Sequence, residues 1–113
     1  MTEIAKHRVL KVLSRHIGKA SGVCAEHLVI ACANRAAEPR DLRRLRKLIQ
    51  ELRMEGYHVC AHPSTGYFMA ANADELDYTC VFLYERAMSS LQQISRMKKV
   101  SLPDLKGQLR LPT

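Results

Sequence analysis

The side chains in this sequence that could do chemistry are mostly cationic, and their spacing is helical. Arg40, Arg43, Lys47 and Gln50 fall in steps of three and four within PRDLRRLRKLIQELRMEG, the stretch from Pro39 to Gly56. On a helix they share one face, while Leu42, Leu45, Leu48, Ile49 and Leu52 share the other. Arg44 and Arg46 lie on the two flanks. Groups with several donors are what a base edge or a phosphate requires. Arg40 and Arg43 have the forked donors that suit guanine O6 and N7, and Gln50 has the amide that pairs with adenine. Arg44, Arg46 and Lys47 suit backbone phosphates, which fix register without reading sequence. Taken alone, such a face is also what an ordinary solvated helix presents to water.

Other constellations carry less. Cys24 and His27 stand three apart, and His58, Cys60 and His62 alternate, but neither group continues into paired CxxC or HxxxH spacing. A structural zinc needs about four convergent ligands, so no metal or other cofactor is expected. There is no glycine-rich phosphate loop and no GxSxG elbow, so the chain is not expected to be an enzyme. Asp74, Glu75 and Asp77 cluster where a helix begins, and the helix dipole accounts for them. Ser64 and Thr65 sit in a turn sequence as small hydroxyls able to meet a phosphate.

Those side chains need a scaffold, and 113 residues with 47% apolar content allow one small domain with one core. Trp is absent and aromatics are few, so Leu, Ile, Val, Ala and Met must fill that core. The net charge of +7 is uneven: residues 1–56 hold 12 Lys and Arg against 6 Asp and Glu, and residues 57–113 hold 6 against 5. An anionic partner is implied, and it belongs to the first half. MTEIAKHRVLKVL interrupts each apolar run with charge, and no stretch approaches the ~18 apolar residues of a membrane span. With four cysteines lacking a secretory context, the expectation is a cytoplasmic protein with reduced thiols and no membrane association.

The chain then divides by period. Residues 3–17 predict a helix with Val9, Leu10, Leu13 and Ile17 inward, ended by Gly18. Its opposite face carries Arg8, Lys11 and Arg15. KASGV leaves room for a minimal strand. A short helix from Cys24 follows, with Leu28, Ala31 and Cys32 as its inward side. Cys24 is a poor N-cap, whereas Pro39 suits the first turn of the basic helix. After Gly56 the period becomes two. Residues 57–61 and 67–70 predict a hairpin around the turn HPSTG. From Asn72 a helix runs to about Lys99, with Leu76, Cys80, Leu83, Ala87, Ile94 and Met97 in a heptad-like stripe widened by Tyr84, Met88 and Leu91. Its length of ~38 Å exceeds what a small domain needs. Pairing of two copies through residues 76–97, giving a homodimer, is one expectation; folding back on its own domain is the other. Residues 100–113 read as an extended arm.

The order helix, short strand, helix, basic helix and hairpin resembles the winged helix-turn-helix. LRKLIQELRMEGYHV running into HPSTGYF, with AEHL upstream, carries the likeness over residues 3–71. With the GYF wing and the Leu83–Ala87 segment, the chain is similar to small winged-helix proteins of phages and prophages. That resemblance implies a mainly α fold with a small β-hairpin, organised as a winged domain (1–71), a long helix (72–99) and an arm (100–113). It also implies double-stranded DNA as partner and transcriptional regulation as function, with the wing around His62–Thr65 set beside the minor groove or the backbone. A second resemblance lies at the end of the chain. Gln108, Leu109, Leu111 and Pro112 are similar to the peptide by which bacterial replication proteins bind the sliding clamp. It implies the alternative of a replication-associated or host-takeover adaptor. Thr113 departs from the final Leu or Phe of that pattern.

Overall fold

The computed structural model describes residues 3–99. The described residues are mainly helical, with one small antiparallel hairpin. In order they form α1 (Lys6–Leu13), a 3-10 turn (Lys19–Ser21), α2 (Ala25–Ala33), α3 (Pro39–Met54), β1 (Val59–His62), β2 (Gly66–Met69) and α4 (Ala73–Lys98). The chain divides into two units, Met1–Thr79 and Cys80–Thr113, and the division falls inside α4.

In the first unit three helices meet over one core. Val9, Val12 and Leu13 come from α1; Leu28, Val29 and Cys32 from α2; Leu45, Leu48, Ile49 and Leu52 from α3. Ile4 and Val59 close the cluster. Burying each large side chain of α3 contributes about 2 kcal/mol, enough to fix which side of that helix turns inward. Its cationic side is therefore held outward.

The ends of α3 are set by local chemistry. Pro39 occupies the first turn, and the Asp41 carboxylate accepts the Glu38 amide at 2.9 Å. At the far end Gly56 takes φ +96°, its amide bonding to the Arg53 carbonyl and the Tyr57 amide to the Leu52 carbonyl. This pair of bonds is the Schellman stop. It also corrects the predicted strand boundary. Tyr57 is tied to the helix end, so β1 starts at Val59 and includes His62, and the turn shrinks to residues 63–65. Val59 pairs with Met69, Cys60 with Phe68, Ala61 with Tyr67 and His62 with Gly66.

Two further expectations fail at the start of the chain. Helix α1 ends at Leu13 rather than at Ile17, because the backbone of His16 and Gly18 bonds to Met69 of β2 instead. Ile17 is then 51% exposed and forms a β-bridge with Met69. In α2 the inward position expected of Ala31 belongs to Val29, and Ala31 faces solvent. Cys24 is indeed the N-cap residue and makes no side-chain cap bond.

The KASGV segment contributes a bridge rather than a strand. Val23 and Tyr67 exchange both backbone hydrogen bonds at 2.8 Å, while the Gly18 amide bonds to Met69 and the Met69 amide to His16. Residues 17–23 thus run as a strap along β2. Glycine makes the closeness possible. A Cβ on Gly22 would come within 2.3 Å of the Thr65 carbonyl, and one on Gly66 (φ +90°) within 2.3 Å of the Val23 carbonyl.

The first turns of α4 also belong to this unit. Asn72 Oδ1 accepts the Glu75 amide at 2.9 Å, and the Glu75 carboxylate accepts the amides of Ala71 (2.9 Å) and Lys19 (3.0 Å). Those amides hold the Glu75 carboxyl below its usual range. His62 stacks on Tyr78 with ring centroids 5.5 Å apart.

The described part of the second unit is the continuation of α4. Val81, Phe82, Leu83, Tyr84 and Met97 are exposed, while Met88, Leu91 and Ile94 are half-buried. The Arg86 guanidinium lies 5.9 Å from the Phe82 ring centroid.

Candidate nucleic-acid interface

The candidate interface begins with the outward face of α3. Arg43, Lys47 and Gln50 are exposed along one row of this helix, and Arg46 is exposed on its flank. None of the four makes a hydrogen bond or ion pair with the described residues, so their donors stand open. Arg40 is exposed at the start of the helix and pairs through Nε with Glu38 at 2.9 Å. A surface pair of this kind is weak, on the order of 0–1 kcal/mol, and a phosphate can displace it.

Arg44 differs from the others. It is half-buried, and its Nε is closed off from solvent with no hydrogen-bond partner. It lines a cavity with Glu3, Ile4, Arg35, Arg40 and Asp41 instead of standing on the outward row.

The start of α3 is locked from behind. Arg35 Nη1 and Nη2 donate to the two Asp41 oxygens at 2.7 and 2.9 Å, a bidentate pair. Asp41 is only 4% exposed. The Arg35 guanidinium, together with the Glu38 amide, pulls the Asp41 carboxyl down to about 2. At the other end the Arg53 Nε donates to the Val59 carbonyl at 2.8 Å, joining the helix end to β1. Lys6 of α1 pairs with Glu55 and, at 3.8 Å, with Glu51. Carboxylates and carbonyls thus engage Lys6, Arg35 and Arg53, while Arg44 and the outward row make no such contact with the described residues.

At the hairpin tip Ser64 is exposed, its hydroxyl 2.8 Å from His62 Nδ1 and its amide donating to the same nitrogen at 3.1 Å. Since the amide can only donate, His62 Nδ1 is the acceptor of that contact. Thr65 is half-buried and its hydroxyl oxygen is closed off with no partner. The Thr65 hydroxyl is therefore not on offer to a phosphate, and its amide already donates to the His62 carbonyl at 3.3 Å. Gln108, Leu109, Leu111 and Pro112 lie outside the described residues.

Several elements of the interface escaped the sequence reading. Met54 is 88% exposed and continues the row of Arg43, Lys47 and Gln50 by one step of four, a spacing that could have revealed it. The Arg35–Asp41 lock crosses a turn, where no periodicity marks a pair. Of the basic face of α1, Arg8 leans back, its Nε 3.4 Å from the Cys32 carbonyl, while Lys11 and Arg15 are exposed.

Among the described residues no group of three or more His, Cys, Asp or Glu could hold a metal ion. No helix among them is long and apolar enough to cross a membrane. Comparison of the chain with protein-family profiles, curated proteins and solved structures finds no match.

Proposed function

We propose that this chain is a winged-helix protein that binds double-stranded DNA, with α3 as recognition helix and the β1–β2 hairpin as wing. The observation that carries the reading is the outward row of α3. Arg43, Lys47 and Gln50 are solvent-facing and unpartnered among the described residues, on a helix whose opposite side buries Leu45, Leu48, Ile49 and Leu52. A B-DNA major groove ~12 Å wide admits one such helix, and the Arg43 fork and the Gln50 amide are the kinds of group that read its base edges. The order of elements supports the same reading. A bridging segment at residues 17–23 lies along the hairpin, between the first helix and the helix pair that ends in α3. Arg40, Arg46 and Lys47 serve as phosphate clamps beside the reading row, and Ser64 contributes from the wing.

The function this implies is transcriptional regulation of the kind performed by phage and prophage repressors or activators, by a homodimer joined along α4. The exposed Leu83, Tyr84 and Met97 supply the apolar surface for that pairing. The experiment is duplex binding by the full chain beside an Arg43→Ala, Lys47→Ala double variant. Loss of binding with retained helical content supports the assignment; full affinity in the double variant refutes it.

The sequence of the last residues favours a second reading, an adaptor that carries the sliding-clamp peptide Gln108, Leu109, Leu111 and Pro112 on a DNA-anchored platform. Co-purification with a bacterial sliding clamp, lost on deleting residues 108–113, supports it. Absence of clamp binding by the intact chain refutes it.

A further inference from the structure

The cavity behind the start of α3 has in its wall a guanidinium that makes no ion pair with the described residues. Its volume is about 150 Å³, and its walls are Glu3, Ile4, Arg35, Arg40, Asp41 and Arg44. Three guanidinium groups therefore meet two carboxylates. The accounts do not close pairwise. Arg35 is committed to both oxygens of Asp41, and Arg40 to Glu38 outside the cavity. Arg44 remains, with no ion pair or hydrogen bond to any described residue, and its Nε has no access to bulk solvent. Glu3 is exposed and forms no ion pair with it among the described residues.

A closed-off donor without an acceptor costs about 1–3 kcal/mol, and native folds rarely leave one so. Arg44 needs an acceptor, and the cavity has the room for one. At about 150 Å³ it holds more than the single water that ~15 Å³ would admit. Nor is this the generic pull of a helix start. The Glu38 amide is already spent on Asp41, and the Asp41 amide on the Glu38 carbonyl. The free donors are guanidinium N–H groups in forked geometry, which match a tetrahedral or planar oxyanion better than a halide or a point charge would.

We propose that this cavity is an oxyanion site, taking one phosphate-type group on Arg44 with Arg40 at its rim. Arg35 is held back by Asp41 and shapes the wall. The phosphate group has two sources, a backbone phosphate of a nucleic acid or a free phosphate-bearing small molecule. The site stands independently of the duplex reading, because its ligand need not be DNA.

The test is a titration of the full chain with inorganic phosphate, observed at the Arg44 Nε–Hε resonance by ¹⁵N NMR, with chloride at matched ionic strength as reference. A saturable shift with phosphate, absent with chloride, supports the site. A linear drift, or the same drift with both salts, overturns it. Arg44→Lys keeps the charge and removes the fork, and is expected to weaken phosphate binding about tenfold, measured by calorimetry. Unchanged binding in a folded Arg44→Lys protein overturns the assignment. Glu3→Gln leaves the guanidiniums in place and removes a competing carboxylate, so it is expected to tighten phosphate binding a few-fold; weaker binding contradicts the site. A duplex arm then separates the sources. A backbone phosphate moves the Arg44 resonance and is competed by free phosphate, whereas a free ligand binds alongside duplex without either effect. Failure of duplex binding with a saturable phosphate shift refutes the DNA reading and leaves the site intact.

Discussion

Replacing three glycines by alanine, one at a time, separates two costs that the strap along β2 combines. Gly56 has φ +96° but open space where a Cβ would stand, so Gly56→Ala bears only the left-handed backbone, about 1–2 kcal/mol. Gly22 has an ordinary φ of −59°, yet its Cβ would lie 2.3 Å from the Thr65 carbonyl. Backbone faces backbone there, so no side chain can yield. The strap must lift, and the two Val23–Tyr67 hydrogen bonds go with it, at about 1 kcal/mol each. Gly22→Ala is therefore expected to cost about 2 kcal/mol. Gly66 combines both conditions, φ +90° and a Cβ 2.3 Å from the Val23 carbonyl, and its alanine variant is expected to cost about 3–4 kcal/mol. Urea unfolding of the full chain, followed by circular dichroism, gives the three values on one scale. A Gly66→Ala protein no less stable than Gly56→Ala would refute the close approach of strap and hairpin.

Four further expectations follow from particular side chains. The hydroxyls of Thr79 and Thr65 are closed off without partners. Thr79→Val should therefore stabilise the protein by about 1 kcal/mol in the same unfolding assay; destabilisation would mean a hidden partner. Thr65→Val should leave duplex affinity within twofold (about 0.4 kcal/mol) in a fluorescence anisotropy titration, and a larger loss would place the hydroxyl on a phosphate. Asp41 has its folded pKa lowered, so the stability it contributes is complete above its unfolded value near 3.8 and is lost as pH falls toward about 2. Helical signal from the start of α3, followed by NMR, should fray across that window in the wild type, and Asp41→Asn should be frayed already at neutral pH and show no such transition. On α4, light scattering should give twice the 12.8 kDa chain mass, and Leu83→Glu with Ile94→Glu should return the monomer; a monomeric wild type refutes the paired helix.

Much of the scaffold was legible because its signals are local. The alternation of apolar and cationic residues from Leu42 to Leu52 defined α3, Pro39 and Gly56 marked its ends, and HPSTG marked the hairpin. The errors lie where one segment answers to another distant in sequence. Ile17 carries the right spacing for α1 but is drawn to Met69, and Val23 is bound to Tyr67. Neither residue announces a bridge. In the interface, periodicity placed Arg43, Lys47 and Gln50 on a common face. It could not separate Arg44, which has a flank position by angle but whose burial depends on the cavity behind it. Thr65 had the chemistry of a phosphate contact, but the fold closes off its hydroxyl. No sequence signal marked Asp41, and only the turn that returns Arg35 shows it as a lock.

The central claim is that the outward row of α3 meets duplex DNA, and the salt dependence of binding tests it most directly. Arg40, Arg43, Arg46 and Lys47 stand exposed along and beside that row. If Arg40, Arg46 and Lys47 neutralise phosphates while Arg43 reads bases, log K should fall with log salt at a slope of about −3, and removing Arg43 and Lys47 should flatten it by about 1. A slope near zero, or one unchanged in the double variant, would contradict the account.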